Sequence, residues 1–224
     1  MQDERVYFRR KLPHYQPRDA TFFITFRLAG SLPPAAIERL RGARENELRV
    51  VGQVKILSNK IHEKYFAKYE DLLDGKTHGP TWLHDDRIAK VIADALHYWD
   101  GKRYQLLCYC IMPNHVHLVI KAGPVNNLSD YLLSPITHSI KRHTAREANQ
   151  ILQRTGAFWQ HESYDHVVRD GNELERIIWY VLENPVKANL TRDRNQWKWS
   201  YIKEGIIDNA GPLTLPSVTS TIQL

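Results

Sequence analysis

The chain has 224 residues, 42% of them hydrophobic and 25% charged, and a net charge of +6. These are ordinary globular values, so a disordered chain and a membrane-embedded one are both excluded as classes, and the length suits one domain with insertions. A sequence isoelectric point near 9.3 is compatible with a polyanionic partner without requiring one.

Along the chain, Thr21–Leu28 (TFFITFRL) alternates and is rich in β-branched and aromatic residues, which predicts a strand. The charged stretch 35–74 carries Ile37, Leu40, Leu48, Ile61, Tyr65, Tyr69 and Leu72 at mostly helical intervals. It reads as one long helix or two shorter ones, ended at 75–80. Asp85 or Asp86 caps a further helix whose Ile88, Val91, Ile92, Ala95, Leu96 and Trp99 form one apolar stripe, stopped by Asp100-Gly101. Tyr104–Met112 and the following HVHLVIK read as two strands joined by a tight turn at Pro113-Asn114. A helix is expected over 128–152, capped by Ser129, with Pro135 in its first turns or at a break. FWQHESYDHVVRD reads as an aromatic-rich loop into a short strand near 165–169, and 170–183 as a helix ended by Asn184-Pro185.

This order predicts an α+β fold, an antiparallel sheet with helices on one face, ferredoxin-like or RRM-like. The expected single domain covers 1–204 with an insertion at about 41–76, and 205–224 is expected to be a loosely ordered tail. No run approaches the roughly 18 apolar residues of a membrane-spanning helix. The charged opening MQDERVYFRRKL lacks the apolar core of a signal peptide, so the expected location is cytoplasmic. The two cysteines, Cys108 and Cys110, fall on one strand face where geometry opposes a bridge, and read as buried small hydrophobes.

His115 and His117 are spaced by one residue on a strand, so period-two alternation projects them from the same face, opposite Val116, Leu118 and Ile120. Two neutral imidazoles side by side can share a metal ion, although a bare H-x-H is more often a pair of surface or locally satisfied histidines. In IIWYVLENP, Tyr180 and Asn184 lie four apart on one helix face, at the flank of the arc set by Leu174, Ile177, Ile178 and Val181. Taken alone, Tyr180 reads as packing and Asn184 as a cap before Pro185. Together the two motifs bring two imidazoles, an amide oxygen and a phenol to a common boundary. That set suits a divalent ion beside a tyrosine nucleophile that forms a 5′-phosphotyrosine and frees a 3′-OH.

Basic residues gather in the N-terminal arm (Arg5, Arg9, Arg10, Lys11, Arg18), among Tyr7, Phe8 and Tyr15, and again at Lys141, Arg142, His143 and Arg146. Charge interleaved with stacking rings suits unpaired nucleic acid. Trp159 and Gln160 are candidates to stack on and hydrogen-bond a base, with core packing an equal reading for Trp159. His166 and Arg169 either contact DNA or pack locally, and Trp197 and Trp199 read as covering a core edge. Tyr164, in SYDHVVRD, is the rival nucleophile, without a coordinating residue at helical spacing.

The runs IMPNHVHLVI, FWQHESYDHVVRD, YVLENPVKANL and WKWSY, in this order, resemble those of the REP-associated tyrosine transposases, a branch of the single-tyrosine HUH nucleases. The resemblance extends from about Arg10 to Tyr201. It implies an HUH nuclease fold dependent on magnesium or manganese, to which this chain adds a helical insertion after the first strand. It also implies action on single-stranded DNA with hairpin structure of the repetitive palindromic type, as a monomer or homodimer, and association with the nucleoid through that DNA. It carries the metal role to His115 and His117, the nucleophile to Tyr180 and the third ligand to Asn184. An insertion of this length departs from the family pattern, and an amide ligand implies weak, promiscuous metal binding. Two other readings stand beside this one: a non-catalytic module for single-stranded nucleic acid, and a zinc hydrolase built on the H-x-H pair, which lacks a well-placed third strong ligand.

Overall fold

The computed structural model describes residues 7–9, 13–15, 19–51, 55–74, 79–123 and 133–206. The expected Ser129 cap, Arg10 and most of the expected tail fall outside these residues. Strands β1 (Tyr7–Arg9) and β2 (Pro13–Tyr15) pair antiparallel, a small hairpin that the basic composition of the arm had hidden. Strand β3 (Thr21–Arg27) is followed by two helices packed on one another as a helical hairpin, α1 (Pro34–Val51) and α2 (Lys55–Asp74). Then come α3 (Asp86–Trp99), β4 (Tyr104–Ile111), β5 (His115–Ala122), α4 (Leu133–Ile151), β6 (Tyr164–Val167), α5 (Gly171–Lys187) and β7 (Ser200–Ile202). Five strands form one antiparallel sheet in the order β6-β3-β5-β4-β7.

Alternation divides the sheet into two faces. Phe22, Ile24 and Phe26 of β3 and Val116, Leu118 and Ile120 of β5 share a core with Ile88, Ile92 and Leu96 of α3 and Ile136 and Ile140 of α4. Each such fully buried side chain contributes about 1.5–3 kcal/mol of hydrophobic stabilisation. Asp85 caps α3 by accepting from the Arg87 amide at 2.9 Å, which starts the apolar stripe in phase with the sheet. On the opposite face, Phe23, Cys108, Cys110 and Val119 pack against Ile178, Val181 and Leu182 of α5. The α+β class and the antiparallel sheet are as expected, but helices cover both faces. The second face was concealed because β4 and β5 are apolar on both sides, and only the placement of α5 shows what covers the histidine side.

Cys108 and Cys110 are both buried thiols on the α5 face, as alternation predicts. Pro135 sits in the first turn of α4, where a missing amide costs no helical hydrogen bond. Trp197 packs on one face of the sheet and Trp199 on the other, so the pair wraps the edge beside β7. Gly79 has φ +135° and a Cβ there would stand 2.6 Å from the Gly30 carbonyl oxygen. Glycine is thus required where the chain returns from the helical hairpin against the point at which it left the sheet. Among the described residues, no helix is long and apolar enough to cross a membrane.

Candidate active site

The site begins on β5. In the antiparallel register His115 stands opposite Arg27 and His117 opposite Thr25, so all four belong to the face covered by α5. Each imidazole is held through its Nδ1. That of His115 lies 2.6 Å from Asn114 Oδ1 and so donates to it, and that of His117 lies 3.0 Å from Thr25 Oγ1. These anchors turn both Nε2 atoms inward, to a separation of 2.9 Å. Both rings are wholly buried, and burial holds His115 far down, at about 3, because a charged ring would lose its hydration. His117 is also pushed well below the usual histidine range, first by burial and then by His115 and Lys187. Neutral imidazole is the form that binds a metal.

Helix α5 supplies the rest. Asp170 caps it by accepting from the Glu173 amide at 2.8 Å, and Ile178, Val181 and Leu182 press it against the sheet. That phase puts Tyr180 and Asn184, one turn apart, over the histidines. The Asn184 amide nitrogen lies 3.1 Å from His117 Nε2, and the Tyr180 ring centre lies 5.5 Å from that of His117, nearly edge-on. Phe23 stacks beside His117 with centres 5.7 Å apart, and the Lys187 ammonium lies 4.6 Å from the Tyr180 ring centre. The helix does not end at Asn184-Pro185 as expected, but runs through Pro185 to Lys187. Proline removes a single intrahelical bond there, and the buried contacts of Asn184 and Pro185 keep the last turn in place. Asn184 is therefore an interior helical residue and not a cap.

The donor set fits a divalent ion. With its Nδ1 donating to Asn114, His115 turns its Nε2 lone pair toward His117 Nε2, an arrangement that a shared cation makes favourable. Nitrogens about 2.1 Å from an octahedral ion and at right angles stand about 3 Å apart, close to the 2.9 Å found here. Among the described residues no cluster of three His, Cys, Asp or Glu side chains that could hold an ion exists, and the polar side chain that α5 brings against the imidazole pair is the Asn184 amide. Its oxygen and nitrogen can exchange places by rotation of the amide.

The predicted nucleic-acid contacts fare unevenly. Trp159 is 7% exposed, packs against Phe26 and Phe158, and donates its Nε1–H to Thr144 at 2.9 Å. It is a core residue, and the stacking role is withdrawn. Lys141 is also spent inside the protein: its ammonium donates to the carbonyls of Gln160 and His161 and to Ser163 Oγ. Burial of this lysine lowers it to about 8. His166 packs locally, its Nε2 3.0 Å from the Glu173 carboxylate, which also accepts from the Arg169 amide. Arg142 and Arg169 are exposed, Gln160 is half-buried, and Arg9 lies in β1 opposite Pro13. Tyr164, the rival nucleophile, faces the same side of the sheet as Thr25 and stacks on Phe66 with ring centres 4.3 Å apart.

Two residues that fix the imidazoles escaped the sequence reading. From sequence, Asn114 reads only as a turn residue, although it adjoins His115, and Thr25 only as part of a strand. The signal for Thr25 was a polar residue at period two with Arg27 in an otherwise apolar strand.

Residues 81–184 match the family profile "Transposase IS200 like". A Haemophilus influenzae protein named for the REP-associated tyrosine transposases is 27% identical over 104 residues, which span 43% of this chain and 58% of the relative. The matched region is thus little more than half of that relative's length. The chain also resembles the solved structure of a REP-associated tyrosine transposase bound to a REP hairpin. The TM-score is 0.52 at 14% identity, over 86% of this chain and 80% of the other. At that identity the likeness speaks for the fold. The resemblance read from the sequence motifs is borne out.

Proposed function

We propose that this chain is an IS200-like transposase of the REP-associated branch, which cuts and rejoins single-stranded DNA beside palindromic hairpins through Tyr180. The observation that carries this reading is the convergence of His115 Nε2, His117 Nε2 and the Asn184 amide next to the Tyr180 ring. His115, His117 and Asn184 would hold magnesium or manganese, which when bound supplies Lewis-acid stabilisation of the negative charge on the attacked phosphate. The Tyr180 oxygen attacks phosphorus, an O–P bond forms to the 5′ side of the break, and the bond to the 3′ oxygen breaks. The phenol gives up its proton and the departing 3′ oxygen gains one. Lys187 places positive charge beside the ring on which the phenolate develops. The product is a 5′-phosphotyrosine that keeps the energy of the phosphodiester, so a 3′-OH of another strand reverses the step without ATP.

The approach of Tyr180 to His117 within the folded chain supports cleavage by the tyrosine of the same copy. Two junctions need successive reactions or two copies. Hairpin recognition is drawn from the neighbour bound to a REP hairpin. Incubation with a single-stranded palindromic hairpin and Mn2+ is expected to give a covalent protein–DNA adduct resistant to denaturant. Tyr180→Phe is expected to abolish the adduct while keeping hairpin binding. Chelator-insensitive binding without any adduct would instead identify a non-catalytic binding module.

A further inference from the structure

The α1–α2 hairpin leans over the histidine face of the sheet and encloses a cavity of about 740 Å3. We propose that this cavity receives one unpaired nucleotide of the DNA strand, next to the phosphate that is cut, an inference that rests on the function proposed above. Its volume lies within the roughly 300–1,000 Å3 of pockets that take organic ligands of this size.

Position is the first argument. Arg27 lines the cavity and stands directly opposite His115 in the β3–β5 register, on the same face. An aromatic row joins the cavity to the nucleophile, because Phe66 is 4.3 Å from Tyr164 and 6.4 Å from Tyr180 between ring centres. A ligand here is therefore continuous with the proposed reaction centre.

Chemistry is the second. Tyr65, Tyr69 and the Phe66–Tyr164 pair give the cavity aromatic walls, on which any base can stack. Gln160 and Ser163 line it beside them and offer polar groups to a base edge. Three arginines, Arg27, Arg41 and Arg44, face two carboxylates, Glu38 and Glu162, leaving a surplus of positive charge.

Arg44 is the third and most specific argument. Arg27 is committed to Tyr69 and Ser31, and Arg41 to Glu38. Arg44, by contrast, keeps a buried Nε–H without a hydrogen-bond partner among the described residues, and burial weakens its hold on its proton. A buried guanidinium N–H left unpaired is costly, and an acceptor oxygen of a nucleotide entering the cavity removes that cost. A stacking wall, an unpaired cationic donor on Arg44 and direct continuity with the proposed cleavage site together select an unpaired nucleotide over an apolar ligand.

The test uses two fluorescent DNA probes without added metal, a blunt palindromic hairpin and the same hairpin with a randomised single-stranded flank on each side. Anisotropy is expected to show Arg44→Gln weakening the flanked probe about tenfold while the blunt probe binds as before. An abasic scan of a flank sequence selected by the unaltered protein should then find one position whose loss reproduces the tenfold effect and adds nothing in Arg44→Gln. Equal weakening of both probes, or no weakening of either, overturns the inference while the covalent adduct of the unaltered protein still upholds the transposase reading. An abasic scan without such a position overturns it as well. Failure of the unaltered protein to bind either probe overturns both.

Discussion

Asn114 joins two parts of the molecule that are 41 residues apart in sequence: its side-chain oxygen accepts from His115 Nδ1 at 2.6 Å, and its amide nitrogen donates to the Leu73 carbonyl of α2 at 3.1 Å. One side chain thus sets the tautomer of a candidate metal ligand and fastens the helical hairpin over it. Partners of this kind commonly contribute ten- to a hundredfold to metal affinity. Asn114→Ala is expected to weaken Mn2+ binding by about that factor in calorimetric titration, and Asn114→Asp, which keeps the acceptor, to recover most of it. Unchanged affinity in the alanine variant would remove Asn114 from the site.

The third ligand can be tested by strengthening it. Asn184 is fully buried among neutral imidazoles, so Asn184→Asp puts a carboxylate where no charge is balanced. Metal-free protein should lose about 1–3 kcal/mol of stability. Mn2+ should restore it and bind about tenfold more tightly than in the parent, because a carboxylate is the harder and stronger donor. Thermal melting with and without Mn2+ separates this from a purely structural role, in which the ion would stabilise neither form.

Acid should unfold the protein through the same pair. His115 is held at about 3 in the folded chain, against about 6.5 when unfolded. Between those values the unfolded chain binds more protons, so stability is complete above about pH 6.5 and falls on acidification, by up to about 1.4 kcal/mol per pH unit for each histidine. His117 shifts in the same direction and adds to the slope. Urea denaturation at successive pH values should show this loss, and His117→Gln should reduce its steepness. A flat profile between pH 7 and 5 would contradict the buried neutral pair.

Trp159 offers a control on where DNA does not bind. Trp159→Phe leaves the Thr144 hydroxyl without its indole donor and opens a small void, so a loss of about 1 kcal/mol or somewhat more is expected in chemical denaturation. Hairpin affinity should stay within twofold of the parent. A large loss of affinity at unchanged stability would return Trp159 to the interface.

The sequence exposed the site better than it exposed the surroundings. His115 and His117 were legible because strand alternation is strict, and Tyr180 and Asn184 because one helical turn separates them; local periodicity is enough for both pairs. That the pairs meet depends on α5 lying across β5, which local pattern cannot express, since β5 is apolar enough to be covered on either face. The same limit explains the errors over Lys141 and Trp159. A cation and an indole in a row of basic and aromatic residues look available until the segment 158–163 folds back on α4, where its carbonyls take up the Lys141 ammonium and Thr144 takes up the Trp159 indole. The end of α5 was misjudged because the rule for residues before proline is local, whereas the turn at Asn184 is held by tertiary contacts. Arg27–Tyr69 and Asn114–Leu73 span about forty residues each and left no trace in any motif.

The division of the site between β5 and α5 has an engineering consequence. The imidazoles and their anchors Thr25 and Asn114 all precede residue 152, and the phenol and amide all follow residue 164, with α4 and an irregular stretch between. A break in that stretch parts the two imidazoles from the phenol and amide that the proposed reaction needs together. Fused to two proteins that associate, the pieces would, under the function proposed above, constitute a complementation reporter whose output is a covalent mark on DNA.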